Sequence, residues 1–167
     1  MALTSQIKPY DDRWPVMFEV EKALLQVVFA PHSVEIQHVG STAVPGLAAK
    51  PEIDLLIVSD HQDEDRVDQD MASLGYERGK DLSNGHMFYR RDVGGIRTHK
   101  VHVFRPGHWQ IFRMLRFRDM LRQDDELRLQ YQVLKLELES KNESGIKEYL
   151  SQKAPFIDAV VGLLPKG

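Results

Sequence analysis

Glu52 and Asp54 stand one residue apart at the head of the apolar run Ile53-Asp54-Leu55-Leu56-Ile57-Val58. Side chains alternate across a strand, so in a strand both carboxylates project from one face and can converge on one cation. Asp54 is embedded in apolar neighbours, where an unpaired charge is costly, and a positive partner is therefore expected beside it. Mg²⁺, or Mn²⁺, is the natural candidate, because a hard cation takes oxygen ligands and is commonly held by one or two carboxylates together with substrate phosphates. The phosphate side of such a site also has its residues. Gly40 permits close backbone approach, Ser41 and Thr42 offer hydroxyl and amide donors, and a helix starting after this loop would aim its amides at a phosphate. Lys50 can add a point charge to phosphate or can cap the preceding turn.

Histidines supply a second kind of chemistry. In His99-Lys100-Val101-His102-Val103-Phe104 the two histidines are three residues apart, so a strand turns them to opposite faces. His102 is the better candidate for the site, as a base near neutral pH or as a ligand suited to a transition metal; it can equally be a hydrogen-bonded core residue. His38, alternating with Ile36 and Val34, reads as structural.

These residues need a sheet to hold them, and the chain supplies one. Trp14, Phe18, Leu24, Leu25 and Val28 recur near helical spacing over 12–29, behind Asp11 and Asp12 as caps. Val34, Ile36 and His38 alternate as a half-exposed strand that enters the Gly- and Pro-marked loop 40–46. The run 53–58 is a central strand, 64–74 a helix stopped by Gly75, and short strands are expected at 76–78, 86–91 and 99–104. Beyond Pro106-Gly107, apolar residues at helical intervals predict at least two helices to about Lys141, with Trp109, Phe112 and Leu115 in the core. A last helix over 146–164 is expected to break or bend at Pro155 unless that proline opens a new first turn. Arg113, Arg116, Arg118 and Arg122, with Asp119, Asp124, Asp125 and Glu126 nearby, read as a charged helix surface. Arg90 or Arg91, at the end of a strand beside the Gly-rich turn, could reach a triphosphate, though nothing in the sequence demands it. The expectation is one α/β (α+β) domain over 1–167, a mixed sheet flanked by helices, with an α/β core to about residue 105 and C-terminal helices from about 106.

Composition narrows the function. The chain has 167 residues, 42% of them apolar, enough for one continuous core. With 22 Lys plus Arg against 25 Asp plus Glu, the net charge is -3, so no general attraction to duplex nucleic acid is expected. The absence of cysteine excludes disulfides, thiolate metal sites and cysteine nucleophiles. The opening residues lack the apolar core of a signal peptide and no apolar run is long enough to span a bilayer, so a cytoplasmic location without membrane contact is expected.

The stretch Gln37-His38-Val39-Gly40-Ser41-Thr42-Ala43-Val44-Pro45-Gly46-Leu47-Ala48-Ala49-Lys50-Pro51-Glu52-Ile53-Asp54 resembles the signature of the GrpB family of bacterial proteins. Tyr10 with Trp14, His99-Lys100-Val101-His102-Val103, Phe117-Arg118-Asp119-Met120-Leu121-Arg122 and Tyr131-Gln132-Val133-Leu134-Lys135 extend the likeness from about Tyr10 to Ile157. That family resembles the DNA polymerase beta-like nucleotidyltransferases, whose pattern is Gly-Ser, a short helix, and an acidic-x-acidic pair on a strand. The resemblance implies a nucleotidyltransferase fold, Gly40 and Ser41 at a triphosphate, and Glu52 and Asp54 as Mg²⁺ ligands. Many GrpB-like sequences carry an apolar residue where Glu52 stands, which brings this chain closer to the active pattern. One departure runs the other way: the third carboxylate that the superfamily supplies from a later strand has no counterpart in 99–104.

The leading expectation is a metal-dependent nucleotidyltransferase that moves a nucleoside monophosphate from an NTP to an acceptor hydroxyl, with pyrophosphate leaving. Two rivals stand beside it. One is a noncatalytic nucleotide-binding or accessory module; the family is also found joined to dephospho-CoA kinase, which points that module toward coenzyme A metabolism. The other is metal-dependent hydrolysis by His102 with Asp54, which predicts a preference for Mn²⁺ or Zn²⁺.

Overall fold

Residues 6–142 and 146–162 are described by a computed structural model. Helix α1 spans Arg13–Phe29, β1 Glu35–Val39, β2 Ile53–Val58, α2 Glu64–Ser73, β3 Glu77–Arg78, β4 His86–Val93 and β5 Ile96–Phe104. Helices α3 (Trp109–Gln123), α4 (Asp125–Ser140) and α5 (Ile146–Val161) complete the order. The expected mixed α/β class is the one observed, and the expected strand at 53–58 is β2 itself.

The five strands form one sheet in the order β1-β2-β5-β4-β3, with β2 and β5 parallel and every other pair antiparallel. Strand alternation sorts each sequence run onto two faces. Ile53, Leu55 and Ile57 of β2 join Val101 and Val103 of β5 and Met87 and Tyr89 of β4 under α1 and α2, where Trp14, Phe18, Leu25, Val67 and Met71 close the larger core. The alternate residues Leu56 and Phe104 face the opposite way, with Val39, and meet Ile111, Met114 and Leu115 of α3. A third cluster, Val44, Leu47, Leu121 and Tyr131, seats α3 and α4 on the loop between β1 and β2.

Four expectations change in the structure. β5 begins at Ile96, earlier than residue 99, because Gly94 and Gly95 both take positive φ and make the two-residue turn that pairs Val93 with Ile96. Phe112 is 67% exposed; Ile111, Met114 and Leu115 present the apolar stripe of α3, and Phe112 falls on its outer side. Leu24 likewise faces outward from α1. Helix α5 runs unbroken through Pro155 to Val161, while the expected continuation over Leu163 and Leu164 lies outside the described residues. Among the described residues no helix is long and apolar enough to cross a membrane.

Candidate functional site

The face of the sheet turned toward the C-terminal helices carries the polar residues. Antiparallel pairing sets Val39 against Asp54, and parallel pairing sets Asp54 against Lys100, so β1 ends, β2 begins and β5 passes in a single register row. One step along, Leu56 pairs with His102. Glu52 precedes β2 and shares the face of Asp54. The result is a cleft of about 460 Å³ between this sheet edge and α3, α4 and α5. Gly40, Ser41, Thr42, Lys50, Glu52, Asp54 and His102, all singled out from sequence, line it.

Gly40 enters the cleft at φ 76° and ψ -175°, a conformation that side chains other than hydrogen essentially do not adopt. A Cβ there would also overlap the Asp54 carboxylate. The helix expected after it is a single 3-10 turn over Ser41–Ala43. Ser41 remains on the cleft wall, beside the phenol of Tyr131.

Thr42 has a different role from the one its type suggested. Its hydroxyl donates to the Glu52 carbonyl at 3.2 Å and lies 3.0 Å from His38 Nε2. With the hydroxyl proton given to Glu52, His38 must hold its proton on Nε2 and donate it to Thr42. Thr42 is thus a strut tying the Gly-Ser turn to the start of β2. His38 is a buried partner of that strut, stacked on Phe18 at 4.8 Å, and burial with the nearby Arg122 and Arg118 lowers its pKa to about 4.

Lys100 was not expected at the centre. Its Nζ lies 3.7 Å from Glu52 Oε2 and 3.8 Å from Asp54 Oδ1. The charge of Asp54, followed by that of Glu52, raises its pKa against the effect of burial. Asp54 Oδ1 is buried and accepts no hydrogen bond among the described residues, so Lys100 balances its charge from beyond hydrogen-bonding distance. Alternation puts Lys100 on the strand face of His102, but only the pairing of that strand with β2 in register brings it beside Asp54.

Three further lysines crowd the same space. Lys50 sits 3.8 Å from the Tyr149 ring centroid, and burial lowers its pKa to about 8. Lys153 of α5 lies 4.9 Å from that ring, its pKa lowered to about 8 by burial and then by Lys100. Lys135 of α4 is 2% exposed, donates to the Ala48 carbonyl at 2.6 Å, and is lowered to about 6 by burial, Lys153 and Lys50. Two carboxylates and four amines leave the cleft short of negative charge, which is the electrostatic condition of an anion site.

His102 reaches the cleft but its Nδ1 is 2.9 Å from His86 Nε2. Burial, with Lys100 adding to it, lowers its pKa to about 3, so it stays neutral and is a weak base. His99 points to the other face, toward Glu21, Arg91 and Tyr76. Arg91 pairs with Glu21 and Arg90 with Glu77, and neither lines the cleft. Arg116 is exposed and Arg118 pairs with Asp119 as expected of a charged helix surface, but three of these arginines also brace: Arg118 donates to Gln37 and the His38 carbonyl, Arg122 to the Ala43 carbonyl, and Arg113 to Asp158 and the Gly162 carbonyl. They clamp α3 to the end of β1, to the turn and to α5. Among the described residues no group of three or more His, Cys, Asp or Glu is placed to hold a metal ion, leaving the Glu52 and Asp54 pair as the carboxylate ligands on offer.

Comparison with known proteins gives the family and the fold. The sequence profile described as "GrpB protein" matches residues 4–162. UPF0157 protein YqkA of Bacillus subtilis is 36% identical over 150 residues, covering 89% of this chain and 43% of that protein. UPF0157 protein BH1888 of Halalkalibacterium halodurans is 36% identical over 154 residues, covering 91% of this chain and 78% of that protein. The chain therefore spans less than half the length of YqkA. The crystal structure of conserved protein GrpB from Enterococcus faecalis superposes with a TM-score of 0.85 at 30% identity, covering 93% of this chain and 94% of that one. The Cid1 poly(U) polymerase in its Mg 3'-dATP-bound form superposes with a TM-score of 0.61 at 13% identity, covering 87% of this chain and 49% of that one, a likeness of fold alone.

Proposed function

The chain belongs to the GrpB family, and from its nucleotidyltransferase-like fold we propose that the cleft binds a nucleoside triphosphate and transfers its nucleotidyl group to an acceptor hydroxyl. The observation that carries this reading is the convergence of the bare Gly40 backbone, the Glu52 and Asp54 carboxylates and four lysines in one cleft. Polyphosphate supplies the negative charge the lysines lack, and the glycine lets it approach the carboxylates.

The donor set fits a divalent cation with a condition. Among the described residues Asp54 Oδ1 is a buried oxygen without a hydrogen-bond partner, which is a demand for positive charge, and Glu52 shares its face. With Lys100 already beside them, the two carboxylates need phosphate oxygens to complete the ligand set. Glu52 and Asp54 would hold Mg²⁺ or Mn²⁺, which when bound offsets charge on the phosphates and polarises the phosphorus.

The protein's own groups do the rest. Lys50 and Lys153 are placed to draw the outer phosphates, and Ser41 and the Gly40 backbone set their position. Met114, Phe117, Leu150 and Ile157 give an apolar wall for the base. The acceptor oxygen bonds to the α-phosphorus as the bond to the bridging β-phosphate oxygen breaks; pyrophosphate leaves, and the acceptor proton passes to a carboxylate or to water. His102, its pKa lowered by burial to about 3 and its Nδ1 turned to His86, is a weak base for that proton, which also weighs against hydrolysis by His102 with Asp54.

A second reading has its own observation. Lys100 occupies the strand from which the superfamily supplies its third carboxylate, so the fold can bind nucleotide without turning it over. Titration calorimetry of each NTP with Mg²⁺ or Mn²⁺, on the protein and on Asp54→Asn, tests the proposal. Metal-dependent binding lost in Asp54→Asn supports the site, and pyrophosphate release with an acceptor separates enzyme from binding module. No binding of any nucleotide would refute both.

A further inference from the structure

Resting on the nucleotide reading, we infer that Lys100 competes for the metal position between Glu52 and Asp54, so that the site refuses a divalent cation alone and admits it only together with a triphosphate. Lys100 reaches Glu52 and Asp54 at nearly equal distances, 3.7 and 3.8 Å, which is where a cation shared by the two carboxylates belongs. Its backbone cannot drift away: residues 99 to 104 are locked in register with 53 to 58, at the middle of the sheet between β2 and β4. The three side chains are mostly buried, with relative exposures of 24%, 12% and 19%, so water screens the repulsion between this ammonium and an incoming cation poorly.

Charge decides the order of events. Glu52 and Asp54 carry at most two negative charges, Lys100 cancels one, and Lys50 and Lys153 face the same cleft. A bare divalent cation meets a site with little or no net negative charge. A triphosphate reverses that balance and offers Lys100 a new partner within reach of its four-carbon stem. Metal and nucleotide then each raise the affinity for the other, a coupling that must be reciprocal. Nucleotidyl transfer would start only from the assembled pair, and a lysine in this place keeps the empty enzyme free of idle metal.

Mn²⁺ alone is the probe, followed by the loss of its free electron paramagnetic resonance signal on binding. The intact protein should leave the signal of Mn²⁺ unchanged, while Lys100→Gln and Lys100→Met should bind Mn²⁺ without nucleotide, roughly tenfold or more tightly, as removal of an adjacent positive charge from a cation site requires. Saturable binding of Mn²⁺ to the unsubstituted protein, with nothing else present, overturns the inference and needs no variant. Failure of both variants to bind Mn²⁺ while their thermal unfolding stays cooperative overturns it as well. The nucleotide reading fails by a different result, the absence of NTP binding to the unsubstituted protein with metal present.

Discussion

Gly40 and Asp54 approach so closely where β1 gives way to the loop that a methyl group on the Gly40 α-carbon would overlap the Asp54 carboxylate. The glycine conformation, φ 76° and ψ -175°, is itself one that other residues avoid. Gly40→Ala should therefore cost about 1–3 kcal/mol in stability from backbone strain, and displace Asp54 in addition. Urea unfolding measures the first and nucleotide titration the second. Unchanged stability and unchanged binding would mean that neither the backbone nor the carboxylate is held as described.

Thr42 predicts a loss of a different kind. Its hydroxyl links the His38 imidazole to the Glu52 carbonyl inside the protein. Thr42→Val keeps the shape and leaves both partners unsatisfied, at a cost of about 1–3 kcal/mol. Thr42→Ser, which restores the hydroxyl, should recover most of it. If Thr42→Val weakens nucleotide binding while stability holds, the hydroxyl touches ligand and the strut assignment is wrong.

How far the sequence discloses this site depends on which residue is asked about. Glu52 and Asp54 could be put on one face from alternation alone, because the period of a strand is local and needs no partner. His99 and His102 could be separated for the same reason, and the structure turns them to opposite faces. Thr42 could not be read as a strut, since its partners His38 and Glu52 come together only when β1 and β2 pair. Lys100 was hidden for a related reason: strand order and register put it beside Asp54, and both depend on contacts distant in sequence. Lys135 and Lys153 resemble ordinary helix-surface lysines until α4 and α5 fold over the sheet. Phe112 failed as a core residue because a helical stripe has finite width, and its neighbour Ile111 took the inward place.

Acid should weaken the fold through its histidines. His38 and His99 are buried, each lowered to about 4 by burial first, with Arg122 and Arg118 adding to it at His38 and Arg91 at His99. Their unfolded pKa is about 6.5, so between about pH 4 and 6.5 the unfolded chain binds more protons and stability falls as pH falls. The slope approaches roughly 1.4 kcal/mol per pH unit for each fully engaged histidine. Urea midpoints from pH 7 to 4.5 should drop along that curve, and His38→Asn should flatten it. A profile level over this window would show that these imidazoles accept protons without unfolding.

Lys135 gives the cleft a proton-linked signature of its ligand. Buried against Tyr131 and bonded to the Ala48 carbonyl, with Lys153 and Lys50 adding repulsion, its pKa falls to about 6. Its unfolded value is about 10.4, so between about pH 6 and 10 the unfolded chain binds more protons and stability rises with pH; Lys135→Met should remove that rise between about pH 6 and 8, below the range where Lys50 and Lys153 add their own. At pH 7.5 the amine is mostly neutral, and a polyphosphate in the same cleft favours its charged form. Nucleotide binding at pH 7.5 should then take up protons, as much as about one per site from this group. Calorimetry in buffers of different ionisation enthalpy reads the uptake directly, because each proton drawn from the buffer adds that buffer's heat to the observed enthalpy. Lys135→Met should bind with a smaller buffer dependence while keeping most of its affinity, since Lys50, Lys100 and Lys153 remain to meet the phosphates. Equal enthalpies across buffers for the unsubstituted protein would place the bound anion too far from Lys135 to change its charge, and would move the phosphate site toward the open end of the cleft.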